Sequence, residues 1–270
     1  MANYTGYIKR YFNVDFPTIY DAWFGKKDPD AFAVNGSQIY YGYQGEGKTY
    51  SMVFHATKLK VKYPKSILVT NLHMNNLTSV KLPEGFLADP SAACSAILSS
   101  DFDWSKFYIR FETYEELITL LRYVRNGKFG VIFMIDEIHN YFHSHDSKSM
   151  PMWVVQVFSQ QRKQRLVVLG SVQDWDDLIK AIRRQIDNLI QCTRVGHLVF
   201  QTAVDPRDFE NNFGEREAPI RKRGMVWLSS KVYDLFDTYQ VINSGREILG
   251  GSDLNVKTSV IGEISKTRKR

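Results

Sequence analysis

The sequence is poor in the residues that staple or anchor a chain. Two cysteines, Cys94 and Cys192, stand in unrelated contexts among 270 residues, which excludes a disulfide framework and fits a reducing compartment. No apolar run approaches the ~20 residues needed to cross a bilayer; the longest, Leu166 to Val172, is of strand length. The N-terminus has no apolar stretch of the kind a secretory leader needs, so a cytoplasmic protein is expected. No internal repeat and no long low-complexity segment occurs. Neither sign of charge dominates: 35 Lys and Arg against 29 Asp and Glu leave +6, which is compatible with nucleic acid but does not require it. What is present is ordinary globular composition, 44% hydrophobic and 24% charged, sufficient for one large domain or one domain with an appendage.

One stretch organises the rest. Gly42-Tyr43-Gln44-Gly45-Glu46-Gly47-Lys48-Thr49 reads G-x-x-x-x-G-K-T, the phosphate-binding loop of P-loop NTPases. The β-rich run Ser37–Tyr41 precedes it and a helix-forming stretch from Tyr50 to Lys62 follows, the strand–loop–helix setting that the motif requires. Gly42, Gly45 and Gly47 permit positive φ and close approach of backbone to phosphate oxygens. Their neighbours' N–H groups then form an anion nest at the positive end of the helix. Lys48 supplies a point charge for the β- and γ-phosphates, and Thr49 a hydroxyl for Mg²⁺. Gly42 and the stretch Gln44, Gly45, Glu46, Gly47, Lys48, Thr49 and Tyr50 are the expected nucleotide-binding set, with ATP and Mg²⁺ as cofactors.

A second motif completes the first. The apolar strand Val131–Ile135 runs into Asp136-Glu137, the Walker B pattern. Asp136 is expected to hold Mg²⁺ opposite Thr49, and Glu137 to orient and deprotonate an attacking water. A P-loop kinase needs no such base, so the pair favours hydrolysis. The strand Leu166–Val172 ends in Gln173, the expected sensor of the γ-phosphate. Arg162, Arg165, Arg183 and Arg184 are candidates for a finger that stabilises transition-state charge on a neighbouring subunit. His139 and His143 are four apart, but no third ligand has zinc spacing.

The rest of the chain supports an α/β sandwich with a mainly parallel sheet between helices. Residues 1–37 form an aromatic-rich extension, 38–204 the ATPase core, and 205–270 a C-terminal segment ending in the basic tail Lys266–Arg270. Within the core, 72–106 reads as an irregular insertion with a short helix near Ala92 to Leu98. Thr113 and Glu116 have capping-box spacing before a helix with Leu117, Leu120, Leu121 and Val124 on one face. Pro151 to about Arg162 is expected to be helical, as is the stretch after Asp174, where Trp175, Leu178, Ile179 and Ile182 recur at i, i+3, i+4, i+7. Residues 188–194 and 198–204 read as a hairpin turned at Gly196-His197.

With those residues in hand, the chain resembles the FtsK–HerA superfamily of DNA-pumping ATPases, and within it the Zot-like ATPases of filamentous phages and the genome-packaging ATPases of small viruses. The resemblance is carried by Tyr41–Tyr50, Thr70-Asn71-Leu72, Val131–Phe142, Phe158–Lys163, Leu166–Gln173 and Ile182-Arg183-Arg184. It implies a RecA-like domain with an extra strand between the two nucleotide-motif strands, assembling as a hexameric or pentameric ring and using ATP to move DNA. It implies the host cytoplasm or the virion as its place, with capsid or assembly proteins as further partners. Zot-like phage proteins carry a membrane span after the ATPase domain; this chain shows none, which favours a packaging motor, or a motor recruited to a membrane by a partner, over membrane extrusion. An ATP-dependent assembly switch is the competing expectation, and a small-molecule kinase the third.

Overall fold

The computed structural model describes residues 31–100, 102–146, 150–211 and 219–236. The aromatic residues of 1–30 and the basic tail at 266–270 lie outside these. Strand β1 (Gly36–Tyr41) delivers the chain to the P-loop, and helix α1 (Lys48–Lys62) leaves it. There follow β2 (Ile67–Thr70), β3 (Thr78–Val80), α2 (Pro90–Ser99), β4 (Phe107–Arg110), α3 (Tyr114–Tyr123) and β5 (Val131–Ile135). The chain continues through α4 (Met152–Ser159), α5 (Gln161–Gln164), β6 (Leu166–Val172), α6 (Lys180–Arg183) and β7 (Asn188–Val195). Last come β8 (Leu198–Val204), α7 (Pro206–Asn211), β9 (Ile220–Trp227) and α8 (Ser230–Tyr233).

The described strands form one sheet in the order β3-β4-β2-β5-β6-β1-β7-β8-β9. Pairing is parallel from β3 through β7 and antiparallel from β7 to β9. Strand β6 therefore lies between the P-loop strand β1 and the Walker B strand β5, the extra strand expected from the sequence. This is a RecA-like P-loop fold.

The apolar run of β5 is buried at every position because both faces of a central parallel strand are covered. Val131, Phe133 and Ile135 enter one core with Leu117, Leu120 and Leu121 of α3 and Val154, Val157 and Phe158 of α4. Ile132 and Met134 enter a second core against Met52, Val53, Ala56 and Leu59 of α1. Period-2 alternation thus splits one strand between two layers. Helix α3 starts as expected: Glu116 N–H donates to Thr113 Oγ1 at 3.2 Å and Thr113 N–H to Glu116 Oε2 at 3.2 Å.

Two expected helices are corrected. The stretch after Pro151 breaks at Gln160 (φ −107°) into α4 and α5. The stretch after Asp174 is a 3₁₀ turn, Trp175–Asp177, then extended Leu178, then the single turn α6. Leu178 bridges to His143, and Ile179 N–H donates to Phe142 O at 3.0 Å. Tertiary pairing takes the amides that a helix would have used, while Trp175, Leu178, Ile179 and Ile182 still reach the core. Within 72–106 the chain forms edge strand β3 and helix α2, whose Asp89 cap accepts from Ala92 N–H at 3.0 Å. Beyond residue 204 the sheet continues through β9.

Candidate nucleotide site

The P-loop is shaped by contacts that exclude side chains. Gly42 has φ +147°, and a Cβ there would lie 2.7 Å from the Cys192 carbonyl oxygen of β7. Gly47 has φ +80°, and its Cβ would lie 2.6 Å from Val199 Cγ2 of β8. Gly47 is also the N-cap of α1 and offers no side-chain cap, and no acidic residue sits in the first turn. The first N–H groups of a 15-residue helix therefore point at the loop with only its own backbone and a ligand to meet them. Alanine at Gly45 (φ +84°) or Gly47 (φ +80°) is expected to cost about 1–3 kcal/mol in backbone strain. Gly47→Ala is expected to lose more, because its Cβ also strikes Val199 whereas that of Gly45 meets nothing within 4 Å. Thermal melts of the two variants measure the difference; equal midpoints would contradict the role given to Val199.

Lys48 is buried, and its Nζ donates to Tyr43 O at 3.0 Å, so the ammonium closes the loop that it serves. Thr49 Oγ1 donates to Asp136 Oδ1 at 2.8 Å, which brings the two nucleotide motifs into contact. Asp136 is held from three sides. Ser171 Oγ of β6 donates to Oδ1 at 2.5 Å. Asn71, just past β2, donates from Nδ2 to Asp136 O at 2.9 Å and accepts from Asp136 N–H at Oδ1, also 2.9 Å. Burial pushes the Asp136 carboxyl up, opposed by the hydrogen bonds from Ser171 and Thr49; the Glu137 charge adds to the rise and the Lys48 charge counters it.

Glu137 adopts a left-handed conformation, φ 50° and ψ 55°, uncommon for a non-glycine residue. Its N–H donates to Ser171 Oγ at 2.8 Å, so one hydroxyl fixes both acidic residues. The turn aims the carboxylate at Gln173, whose Nε2 donates to Glu137 Oε1 at 3.2 Å. His139 Nδ1 lies 3.4 Å from Glu137 Oε2.

A cavity of about 540 Å³ joins these groups: Gln44, Gly45, Gly47, Lys48, Thr49, Asp136, Glu137 and Gln173 all line it. A buried carboxylate facing a threonine hydroxyl is an all-oxygen donor set suited to Mg²⁺. Other expected residues stand apart. The Glu46 side chain lines an adjoining cavity of about 830 Å³ with Tyr43 and Arg183. Tyr50 does line the 540 Å³ cavity, but it is a buried residue whose hydroxyl is turned to the sheet, donating to Trp227 O at 3.0 Å. Arg183 pairs with Asp176 and with Glu210, at 3.4 Å from the latter, and lies over the Trp175 ring. Arg162 and Arg184 are exposed, and none of these three arginines lines the cavity of Lys48.

Sequence reasoning assigned no role to Asn71, Ser171, His139, Arg194, Tyr233 or Phe236, although the last four line the 540 Å³ cavity. Asn71 and Ser171 fall within stretches that carry the family resemblance, which was the available signal.

Many solved structures are similar to the chain, among them the following three. The N-terminal domain of zonular occludens toxin from Neisseria meningitidis is similar at 15% identity over 76% of this chain and 100% of that one, with a TM-score of 0.47. The genome packaging NTPase B204 from Sulfolobus turreted icosahedral virus 2, in complex with ATP-gammaS, is similar at 15% identity over 73% and 98%, TM-score 0.47. The DNA-packaging ATPase B204 from Sulfolobus turreted icosahedral virus is similar at 13% identity over 73% and 98%, TM-score 0.42. No curated protein matches the chain by sequence. No helix among the described residues is long and apolar enough to cross a membrane. Residues 39–194, more than half of the chain and spanning both nucleotide motifs, match a family defined by sequence, and the chain accordingly belongs to the ATPase family associated with various cellular activities (AAA).

Proposed function

We propose that this ATPase is a motor that couples ATP hydrolysis to DNA movement, as a viral genome-packaging ATPase acting in a homo-oligomeric ring. The observation that carries the hydrolytic half is the contact of Gln173 with Glu137 beside the joined Thr49 and Asp136. The loop amides and Lys48 bind the triphosphate. Glu137 accepts the proton of the water that attacks the γ-phosphorus, and Gln173 keeps the carboxylate turned toward that water. Thr49 and Asp136 would hold Mg²⁺, which when bound supplies charge neutralisation at the phosphate oxygens. Exposed Arg162 and Arg184 are available to a neighbouring subunit's phosphates, whereas Arg183 would first have to leave Asp176 and Glu210.

The DNA half is supported by the net charge and by exposed Lys222 and Arg223 on edge strand β9, cations suited to a phosphate backbone. A second reading, ATP-driven assembly or extrusion through protein partners, is supported by the exposed apolar residues Val195, Phe200, Met225 and Trp227 on β7–β9. Turnover of the purified full chain with and without single- and double-stranded DNA separates the two. The motor is expected to be stimulated severalfold by one DNA form, with stimulation falling as salt rises. Indifference to every DNA form, with normal basal turnover, leaves the assembly reading in its place.

A further inference from the structure

The 540 Å³ cavity has lining residues that the phosphate chemistry leaves unused. Lys48, Thr49, Asp136, Glu137 and Gln173 serve the phosphates and the attacking water; Arg194, Tyr233 and Phe236 also line the cavity and have no part in that chemistry. We propose that Tyr233 and Arg194 form the nucleoside subsite: the base of the bound nucleotide stacks on the Tyr233 ring, and the Arg194 guanidinium faces it as a cation. This rests on reading the cavity as the ATP site.

Strand order places Arg194 on β7, next to β1 on the side away from β5, whereas Asp136 and Glu137 follow β5. The reacting phosphate lies with the acidic pair, so the nucleoside must leave toward the β7 flank or over α1. Arg194 pairs in register with Val199, the residue that a Cβ on Gly47 would strike, so it stands beside the last glycine of the loop. Its Nε donates to Gly196 O at 3.0 Å, which orients the guanidinium while engaging only Nε. Tyr233 is carried by a strap pinned at both ends. At one end Ser229 N–H donates to Tyr50 Oη at 2.8 Å, and the Tyr50 and Tyr233 ring centroids are 4.8 Å apart. At the other, Asn75 N–H donates to Leu235 O at 2.9 Å and Asn75 Nδ2 to Asp234 O at 3.0 Å. A half-buried ring on a pinned segment, with a cation lining the same cavity, is the recognition chemistry of a flat π-system.

The test titrates the full chain, with Mg²⁺, against ATP and against inorganic tripolyphosphate, which has no base. Tyr233→Ala is expected to weaken ATP about tenfold, within the range of base–aromatic stacking, and to leave tripolyphosphate unchanged; Tyr233→Phe restores ATP. Arg194→Ala likewise weakens ATP selectively. Equal loss of both ligands, or undiminished ATP affinity in either alanine variant, overturns the assignment. Failure of the wild-type chain to bind ATP, or binding by Lys48→Ala as tight as wild type, would instead overturn the nucleotide reading of the cavity itself.

Discussion

Glu137→Gln is expected to bind ATP as the wild type does and to hydrolyse it at least about a hundredfold more slowly, the lower end of what a general base contributes. The substitution keeps the shape of the side chain and an oxygen to accept from Gln173, now 3.2 Å away. The Glu137 N–H bond to Ser171 Oγ is untouched, so the left-handed turn persists. Only the capacity to take a proton from water disappears. Comparing kcat with the ATP dissociation constant decides the matter. Unchanged kcat would remove Glu137 from the chemistry, and a parallel loss of binding would make it a structural residue. The same variant addresses the assembly reading, because a nucleotide-triggered docking surface still engages its partner when hydrolysis stops.

The features that the sequence disclosed are those set by local backbone demand or by strand polarity. Gly42 and Gly47 are required because positive φ and contact with β7 and β8 leave no room for Cβ, and that demand shows as spacing. The meeting of Thr49 and Asp136 was legible because both follow parallel strands and so emerge at the same edge of the sheet. The capping box at Thr113 and Glu116 is local chemistry, and it formed as read. The failures have the opposite origin. Trp175, Leu178, Ile179 and Ile182 carry a helical period, yet Phe142 and His143 offer backbone partners that periodicity does not encode. Ser171 and Asn71 act through residues far away in sequence that become neighbours only once the strand order is fixed. Tyr233 reaches the cavity because β9 adds to the sheet edge and the strap then crosses to Asn75, a path built wholly from long-range pairing.

Asp136→Asn is expected to abolish turnover and yet to raise stability at neutral pH when Mg²⁺ and nucleotide are absent. Both hydrogen bonds to the side chain, from Thr49 and Ser171, end on Oδ1, which asparagine retains. The clamp by Asn71 is to the backbone and does not change. What the substitution removes is a buried negative charge. Burial raises the folded-state pKa of Asp136 above its unfolded value. Between those two values the folded state holds a proton that the unfolded chain has released, so stability falls as pH rises through the window and the full penalty remains above it. The stabilisation by the asparagine variant should therefore be present at neutral pH in chelator, fade on acidification through the window between the raised folded-state pKa and the unfolded carboxylate value near about 4, and be gone below it. Activity moves the other way. Loss of a direct oxygen anion at the metal position should exceed the roughly 10–100-fold that a lost outer-shell partner costs. Melting curves across pH with chelator, beside ATPase rates with Mg²⁺, test both halves; a variant less stable than wild type at neutral pH would show that the Asp136 charge is compensated where it lies.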